Sequence, residues 1–376
     1  MKVAVAMDSF KGSMSSLVAG EAVKQGIKAI YPDAEVMVCP VADGGEGTVQ
    51  SLTLGMGGTF RYVRVTGPLG KKVEACYGIL EESKTAIIEM AAAAGITLLN
   101  IEERNPLVTT TYGVGELIRD AISNGCRHFI VGIGGSATND GGIGMLQALG
   151  YEFLDRNGNQ VSFGAKGLGD IVEIKDEHVI EELKVCDFKV ACDVSNPLCG
   201  DEGCSAIFGP QKGATKEMIE QMEQWLLRFG RLTKKKYKKA DYNAPGSGAA
   251  GGLGFAFLSY TNAILQSGIQ IVLEETKLEQ YMKEADLVIT GEGKLDGQTV
   301  MGKAPAGVSK LAKKYNKKVI AFSGCVAEDA EVCNDYGIDA YFPILQELIP
   351  LEEAMKQEVA KKNLTKTVKQ IMRLLK

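Results

Sequence analysis

The opening of the chain alternates short apolar runs with an amphipathic stretch, and this limits the fold more than any other feature of the 376 residues. Val3 to Met7 is a valine-rich run with the length of a buried strand. Leu17, Val18, Ala22 and Ile27 carry helical spacing, and Glu35 to Cys39 reads as a second strand. Strands joined through a helix lie parallel, and a parallel sheet needs cover on both faces, so the class is α/β. The same alternation returns near the end, with strands at Leu287 to Thr290, Val319 to Phe322 and Ala340 to Phe342 and a helical segment from about Leu351 to Lys376. In between, Phe60 to Val65, Val73 to Ile79 and Ala86 to Met90 follow one another closely, which predicts an antiparallel or mixed region. A helix over Val114 to Ser123, closed by Gly125, precedes strands at Phe129 to Val131 and Phe188 to Cys192. The expectation is a Rossmann-like parallel α/β domain from residues 1–57 and 266–376, with a mixed-sheet α/β domain, 58–265, inserted into it and the active site in the cleft between them.

Charge, cysteine and histidine usage exclude several function classes. The net charge of −5 provides no chain-wide field for holding nucleic acid or an anionic membrane. The basic run Lys234, Lys235, Lys236, Lys238 and Lys239 trails a helix and reads as its solvated end. Nine cysteines without a C-x-x-C pair, and an opening apolar stretch cut short by Asp8, read as a reduced, cytoplasmic protein. No apolar run reaches the roughly 18 residues of a membrane span. With His128 and His178 as the only histidines, a Ser-His-Asp hydrolase or a His-ligated zinc enzyme is disfavoured. The chemistry falls to carboxylates, lysines, hydroxyls and backbone amides.

Glycine supplies the other half of the pattern. The chain has 45 glycines, where average usage of about 7 per cent would give roughly 26. They fall beside charged residues at the ends of predicted strands, where α/β sheets bind ligands. Asp8-Ser9-Phe10-Lys11-Gly12 follows the first strand and Asp43-Gly44-Gly45-Glu46-Gly47-Thr48 the second. Gly291-Glu292-Gly293-Lys294-Leu295-Asp296 follows Thr290, and Gly324 follows Phe322. Each alone is also what a helix cap or tight turn looks like; together at one edge they suggest a shared site. In the inserted region, Gly132 to Gly142 runs from a strand toward a helix at Met145 to Leu149, a setting suited to phosphate. Asp193, Ser195 and Asn196 end another strand, Gly209 to Gly213 presents Lys212, and Gly246 to Gly252 opens a further helix.

Two nucleotide motifs are matched in part. Gly132, Gly134 and Ala137, with Asp155 about twenty residues on, fit G-x-G-x-x-A, an NAD reading that the Asn139-Asp140-Gly141-Gly142 insertion weakens. Gly297 to Ala304 fits G-x-x-x-x-G-K but has Ala304 where a P-loop requires Ser or Thr, although Lys303 could still meet a phosphate. Amides and lysines around phosphates, carboxylates for Mg2+ and for the attacking hydroxyl, and no need of histidine suit phosphoryl transfer.

The same stretches carry a resemblance. Asp8 to Lys11, Val41 to Thr48, Gly132 to Gly142, Ala191 to Leu198, Phe208 to Ala214 and Thr290 to Gly293 onward through Lys303 together resemble the type-1 glycerate kinase family, in order from about residue 2 to 370. The resemblance implies transfer of the ATP γ-phosphoryl group to D-glycerate, usually giving 2-phosphoglycerate, with Mg2+, in a two-domain α/β protein of bacterial cytoplasm. Met7 stands where many members have proline, and Gly12 where glutamate is frequent; neither position is assigned to chemistry.

The residue expectations follow. Asp193 and Lys11 are the catalytic candidates, Asp193 to orient or deprotonate the substrate hydroxyl and Lys11 to neutralise charge. Asp8, Ser9, Asn196, Lys212 and Arg64 are candidates for substrate. Gly134, Gly135, Ser136, Thr138, Asn139, Asp140, Gly141 and Lys303 are candidates for ATP, and Asp43, Glu292 and Asp296 for Mg2+. The expected partners are small molecules, D-glycerate and ATP, with neither nucleic acid nor membrane; a homo-oligomer stays open. An NAD-dependent oxidoreductase of a small hydroxy acid and a non-catalytic binder of small acids remain the rival readings, and 3-phosphoglycerate remains the rival product.

Overall fold

The computed structural model describes residues 1–42, 47–276 and 278–376, so the expectations placed on Asp43, Gly44, Gly45 and Glu46 lie outside the described residues. The described residues divide into two compact units, one from 1–42, 50–56 and 269–376 and the other from 47–49 and 57–268.

The first unit is built on five parallel strands in the order Ala340–Pro343, Lys318–Val326, Leu287–Leu295, Lys2–Met7, Glu35–Val38. Lys2–Met7 lies within the sheet, and every residue after Lys2 is buried, as expected of a strand covered on both faces. The helix Ser16–Lys28 begins where the Ser15 hydroxyl accepts from the Val18 N–H. It packs against the long helix Gln357–Leu374. Ala360, Leu364, Val368 and Met372, four residues apart, form one buried stripe on that helix, facing Ala19, Ala22, Val23 and Ile27. The predicted terminal helix is in fact two pieces, Leu351–Ala354 and Gln357–Leu374.

The strand Leu287–Leu295 also differs from expectation. Gly291 to Leu295 is not a loop beyond a strand; it continues the strand and pairs along Lys318–Val326 as far as Leu295 opposite Val326. Glycine and charged residues have poor strand propensity, but the pairing with Lys318–Val326, which runs on after Lys2–Met7 ends opposite Gly291, outweighs that weak preference.

The second unit has a mixed six-stranded sheet in the order Asn262–Gln266, Asp187–Ala191, His128–Gly132, Thr85–Glu89, Lys72–Leu80, Thr59–Thr66. The first four of these strands run parallel, and the last two join by antiparallel pairing. Glu152–Leu154 and Glu173–Lys175 form a separate two-stranded sheet. An aromatic cluster at the centre includes Phe129 stacked on Phe188 at 4.7 Å between ring centroids. No described helix is long and apolar enough to cross a membrane.

Much of the excess glycine goes into packing inside this unit. The expected helix opening at Gly246 to Gly252 turns left-handed at Ala250, Gly251 and Gly252. Gly251 accepts from the Gly141 N–H at 2.9 Å, and a Cβ on Gly251 would sit 2.1 Å from the Thr138 carbonyl oxygen. Two glycine-rich segments thus lie backbone to backbone, closer than any side chain allows.

Candidate active site

In the first unit, the carboxyl ends of the central strands meet the carboxy-terminal segment around a cavity of about 370 Å3. Its two sides differ in chemistry. Asp8, Lys11, Glu292, Lys294, Asp296 and Lys303 make a charged side, while Phe10, Ile344, Leu345, Leu351 and Met355 make an apolar one. Asp8 is buried and ends the first strand, with its N–H donating to the Gly291 carbonyl at 2.8 Å and its carboxylate accepting from the Ser9 N–H at 2.6 Å. Lys11 is exposed, and Ser9 is partly so.

Two carboxylates converge on one ammonium in this cavity. Lys303 Nζ lies 3.7 Å from Glu292 Oε2 and 3.4 Å from Asp296 Oδ1. Glu292 is buried and also accepts from the Thr299 hydroxyl at 2.6 Å, which fixes its orientation. Burial alone would raise the Asp296 carboxyl, but the hydrogen bond from Lys294 and the charge of Lys303 together hold it below its ordinary value. Glu292 and Asp296 therefore share a place that attracts cations. Lys303 stands at the amino-terminal cap of the helix Ala304–Lys314, with Pro305 in its first turn.

In the second unit, register aligns the candidate loops. Gly132 is level with Ala191, and Ala191 with Gln266, so the segments that follow leave the sheet side by side. Asp193 is exposed there, and its Oδ1 accepts from the Gly268 N–H at 3.1 Å. Gly134 and Gly135 are exposed, and Ser136 is buried directly after them. Gly135 has φ +71° and only Ala91 Cβ, at 3.5 Å, near the position of a side chain, so its open left-handed turn leaves the backbone accessible. Asn196 holds its own loop, its amide donating to the Glu202 carbonyl at 2.8 Å.

Other expected contacts lie inside. Thr138, Asn139 and Asp140 have 0% exposure, and Gly141 is buried as well, so their side of the loop faces the core rather than a ligand. The Asp140 carboxylate accepts from Thr111 N–H and Oγ and from the Gly142 and Gly144 N–H groups, closing the start of the helix Ile143–Ala148. Burial raises the Asp140 carboxyl above its ordinary value, against those hydrogen bonds. Lys212 is 2% exposed; its ammonium donates to Ser136 Oγ at 2.8 Å and to the Thr138 carbonyl at 2.6 Å, behind the exposed glycines. Burial pushes this ammonium down to about 8.

Arg64 is set apart. It is exposed on the outermost strand, paired in register with Glu74, and three strand positions from His128–Gly132, about 14 Å at the usual strand spacing. Asp155, the expected ribose partner of the NAD reading, instead accepts from the Asn157 and Asn159 N–H groups in an exposed turn. The helix after Gly132 begins only at Ile143, too late for a dinucleotide-binding glycine turn. His128 pairs with Asp187 at 2.6 Å at the starts of their strands, the opposite ends from these loops.

Sequence reasoning passed over two groups. Glu89 ends the strand Thr85–Glu89 level with Gly132 and accepts from the Val49 N–H at 2.9 Å; inspecting what ends each strand would have found it. The carboxy-terminal wall gave no signal, because Ile344, Leu351 and Met355 read as ordinary core residues.

The comparisons with known proteins agree with one another. The model of the glycerate kinase family matches residues 3–376. A glycerate kinase of Haemophilus influenzae is 49% identical over 375 residues, covering 100% of this chain and 99% of the relative. A glycerate 2-kinase of Escherichia coli is 47% identical over 356 residues, covering 95% of this chain and 93% of the relative. A crystal structure assigned to glycerate kinase 2 of Salmonella typhimurium aligns with TM-score 0.93 at 44% identity, covering 100% of this chain and 98% of that one. This chain belongs to the glycerate kinase family and is a kinase, a phosphotransferase.

Proposed function

We propose that the protein phosphorylates D-glycerate with ATP and Mg2+ in the cytoplasm, giving 2-phosphoglycerate and ADP. The observation that carries this reading is the pairing of Glu292 and Asp296 around Lys303, together with the exposed Asp193 beside the open turn at Gly134 and Gly135. The Escherichia coli relative is a glycerate 2-kinase by name, which supports the regiochemistry.

Asp193 accepts the proton of the substrate's C2 hydroxyl as its oxygen attacks the γ-phosphorus. The bond from the γ-phosphorus to the bridging oxygen breaks, and ADP leaves with that electron pair. Lys11 offsets negative charge in the first unit, with Asp8 and Ser9 beside it. The backbone amides at Gly134, Gly135 and Ser136 meet an anionic group, and Asn196 shapes the neighbouring loop.

The residues fit Mg2+. Glu292 and Asp296 are hard oxygen donors drawn to one cation, and no group of three or more metal-ligating side chains occurs among the described residues. One or two carboxylates plus substrate phosphates is how Mg2+ is commonly held. When bound it supplies positive charge to the phosphates. The deciding assay is ADP formation with D-glycerate, ATP and Mg2+: ADP release that requires all three supports the proposal. Hydride transfer from D-glycerate to NAD without ATP, or D-glycerate binding without ADP release, contradicts it.

A further inference from the structure

We propose that the cavity of the first unit is the adenine-nucleotide site: the base lies against Phe10, Leu351 and Met355, Asn363 reads its edge, and the phosphates extend toward Lys294 and Lys303. This rests on the kinase reading and goes beyond it, since the sequence placed the nucleotide mainly at the Gly132 to Gly142 loop and, in this unit, at Lys303 alone.

Three observations converge. The first is size: about 370 Å3 falls in the roughly 300 to 1,000 Å3 range of organic-ligand pockets, and a three-carbon acid would leave most of it empty. The second is the division of the lining. The apolar residues come from Phe10 and the carboxy-terminal segment, whereas the lysines and carboxylates come from the ends of the central strands. A nucleoside triphosphate carries the same division, with an aromatic base at one end and charge at the other. A flat apolar wall would do little for glycerate, whose carbons all carry oxygen.

The third is Asn363. It is 7% exposed, lines the cavity, and its side-chain amide has no hydrogen-bond partner among the described residues, although its backbone carbonyl accepts from Thr367. The amide atoms are not among the buried side-chain atoms that lack a partner, so they meet the water of the cavity, and a ligand can pair with them without displacing a protein group. Asparagine offers an N–H donor and a carbonyl acceptor side by side, the complement of adenine N7 and the N6 amino group. Its helix is anchored by the stripe Ala360, Leu364, Val368 and Met372, which fixes the backbone that carries the amide.

Cys325 provides a reporter. It lines the cavity and is the one exposed cysteine among the described residues. Its rate of alkylation by iodoacetamide, followed by peptide mass spectrometry on the wild-type protein, should fall about tenfold or more with Mg2+-ADP and less than about twofold with D-glycerate. Asn363→Leu, close in volume, should raise KM for ATP about tenfold, leave KM for D-glycerate within about twofold, and narrow the preference for ATP over GTP. Cys325 protected by D-glycerate alone, or labelled equally with and without ADP, overturns the assignment. An unchanged ATP/GTP preference in a folded Asn363→Leu protein overturns the role of Asn363. Protection by ADP in a protein that forms no ADP from ATP and D-glycerate would uphold the cavity assignment while removing the kinase reading.

Discussion

Both units hold a lysine ammonium among oxygen atoms, in opposite settings. Lys303 has 31% of its side chain exposed and faces two carboxylates at 3.4 and 3.7 Å. Lys212 is 2% exposed and faces two uncharged oxygens at 2.8 and 2.6 Å. The first is an ion cluster whose lysine reaches water while its two carboxylates are largely covered, so the lysine can exchange partners. The second is a fixed charge in a low-dielectric interior, where its field acts over the loop through Ser136 and cannot be replaced by solvent. One unit offers adaptable charge and the other charge organised in advance.

The sharpest way to break this comparison is at the exposed carboxylate of the second unit. Asp193→Asn should lower kcat by about a hundredfold or more, measured by ADP release on a protein whose circular dichroism is unchanged; near-normal kcat would remove Asp193 from the chemistry. The buried ammonium makes a prediction about stability. Its folded value of about 8 lies below the ordinary 10.5, so below pH 8 both folded and unfolded chains hold the proton and the fold carries the whole desolvation cost. Between pH 8 and 10.5 the folded chain sheds the proton while the unfolded chain keeps it, so stability rises with pH. Relative to Lys212→Met, wild type should gain on the order of 3 kcal/mol across that window in urea unfolding; parallel pH profiles would show that the ammonium is not buried.

The open cluster should respond through the metal instead. Glu292→Gln with Asp296→Asn should raise the Mg2+ concentration for half-maximal rate about tenfold, read from a Mg2+ titration at saturating ATP. Its effect on the stability profile across pH 8 to 10.5 should be small. At the bottom of the scale, Arg64→Ala should change kcat/KM for D-glycerate by less than about threefold, because Arg64 lies three strands from the loops. A larger loss would return it to the substrate site.

Val3 to Met7 and the strands at Phe129 and Phe188 were legible because buried parallel strands are short apolar runs. Gly291 to Leu295 misled because pairing along a long neighbouring strand, Lys318–Val326, tolerates glycine and charge, and single residues do not reveal their neighbours. Asp193 could be singled out from its chemical type and position after a strand, and Lys303 from the partial G-x-x-x-x-G-K match. The wall of Ile344, Leu351 and Met355 could not, because an apolar residue facing a cavity is identical in sequence to one facing the core. The glycine loop was half legible: its outward turn at Gly134 and Gly135 fits a ligand, whereas Thr138 to Gly141 serves packing against Gly251 and the start of a helix.

The most direct test of the central claim is the nuclear magnetic resonance spectrum of the product formed from ATP and D-glycerate. The account predicts one product, with phosphorus coupled to the single C2 proton and one ADP released per phosphate transferred. Phosphorus coupled to the two C3 protons would contradict the regiochemistry, and unchanged D-glycerate would contradict the activity itself.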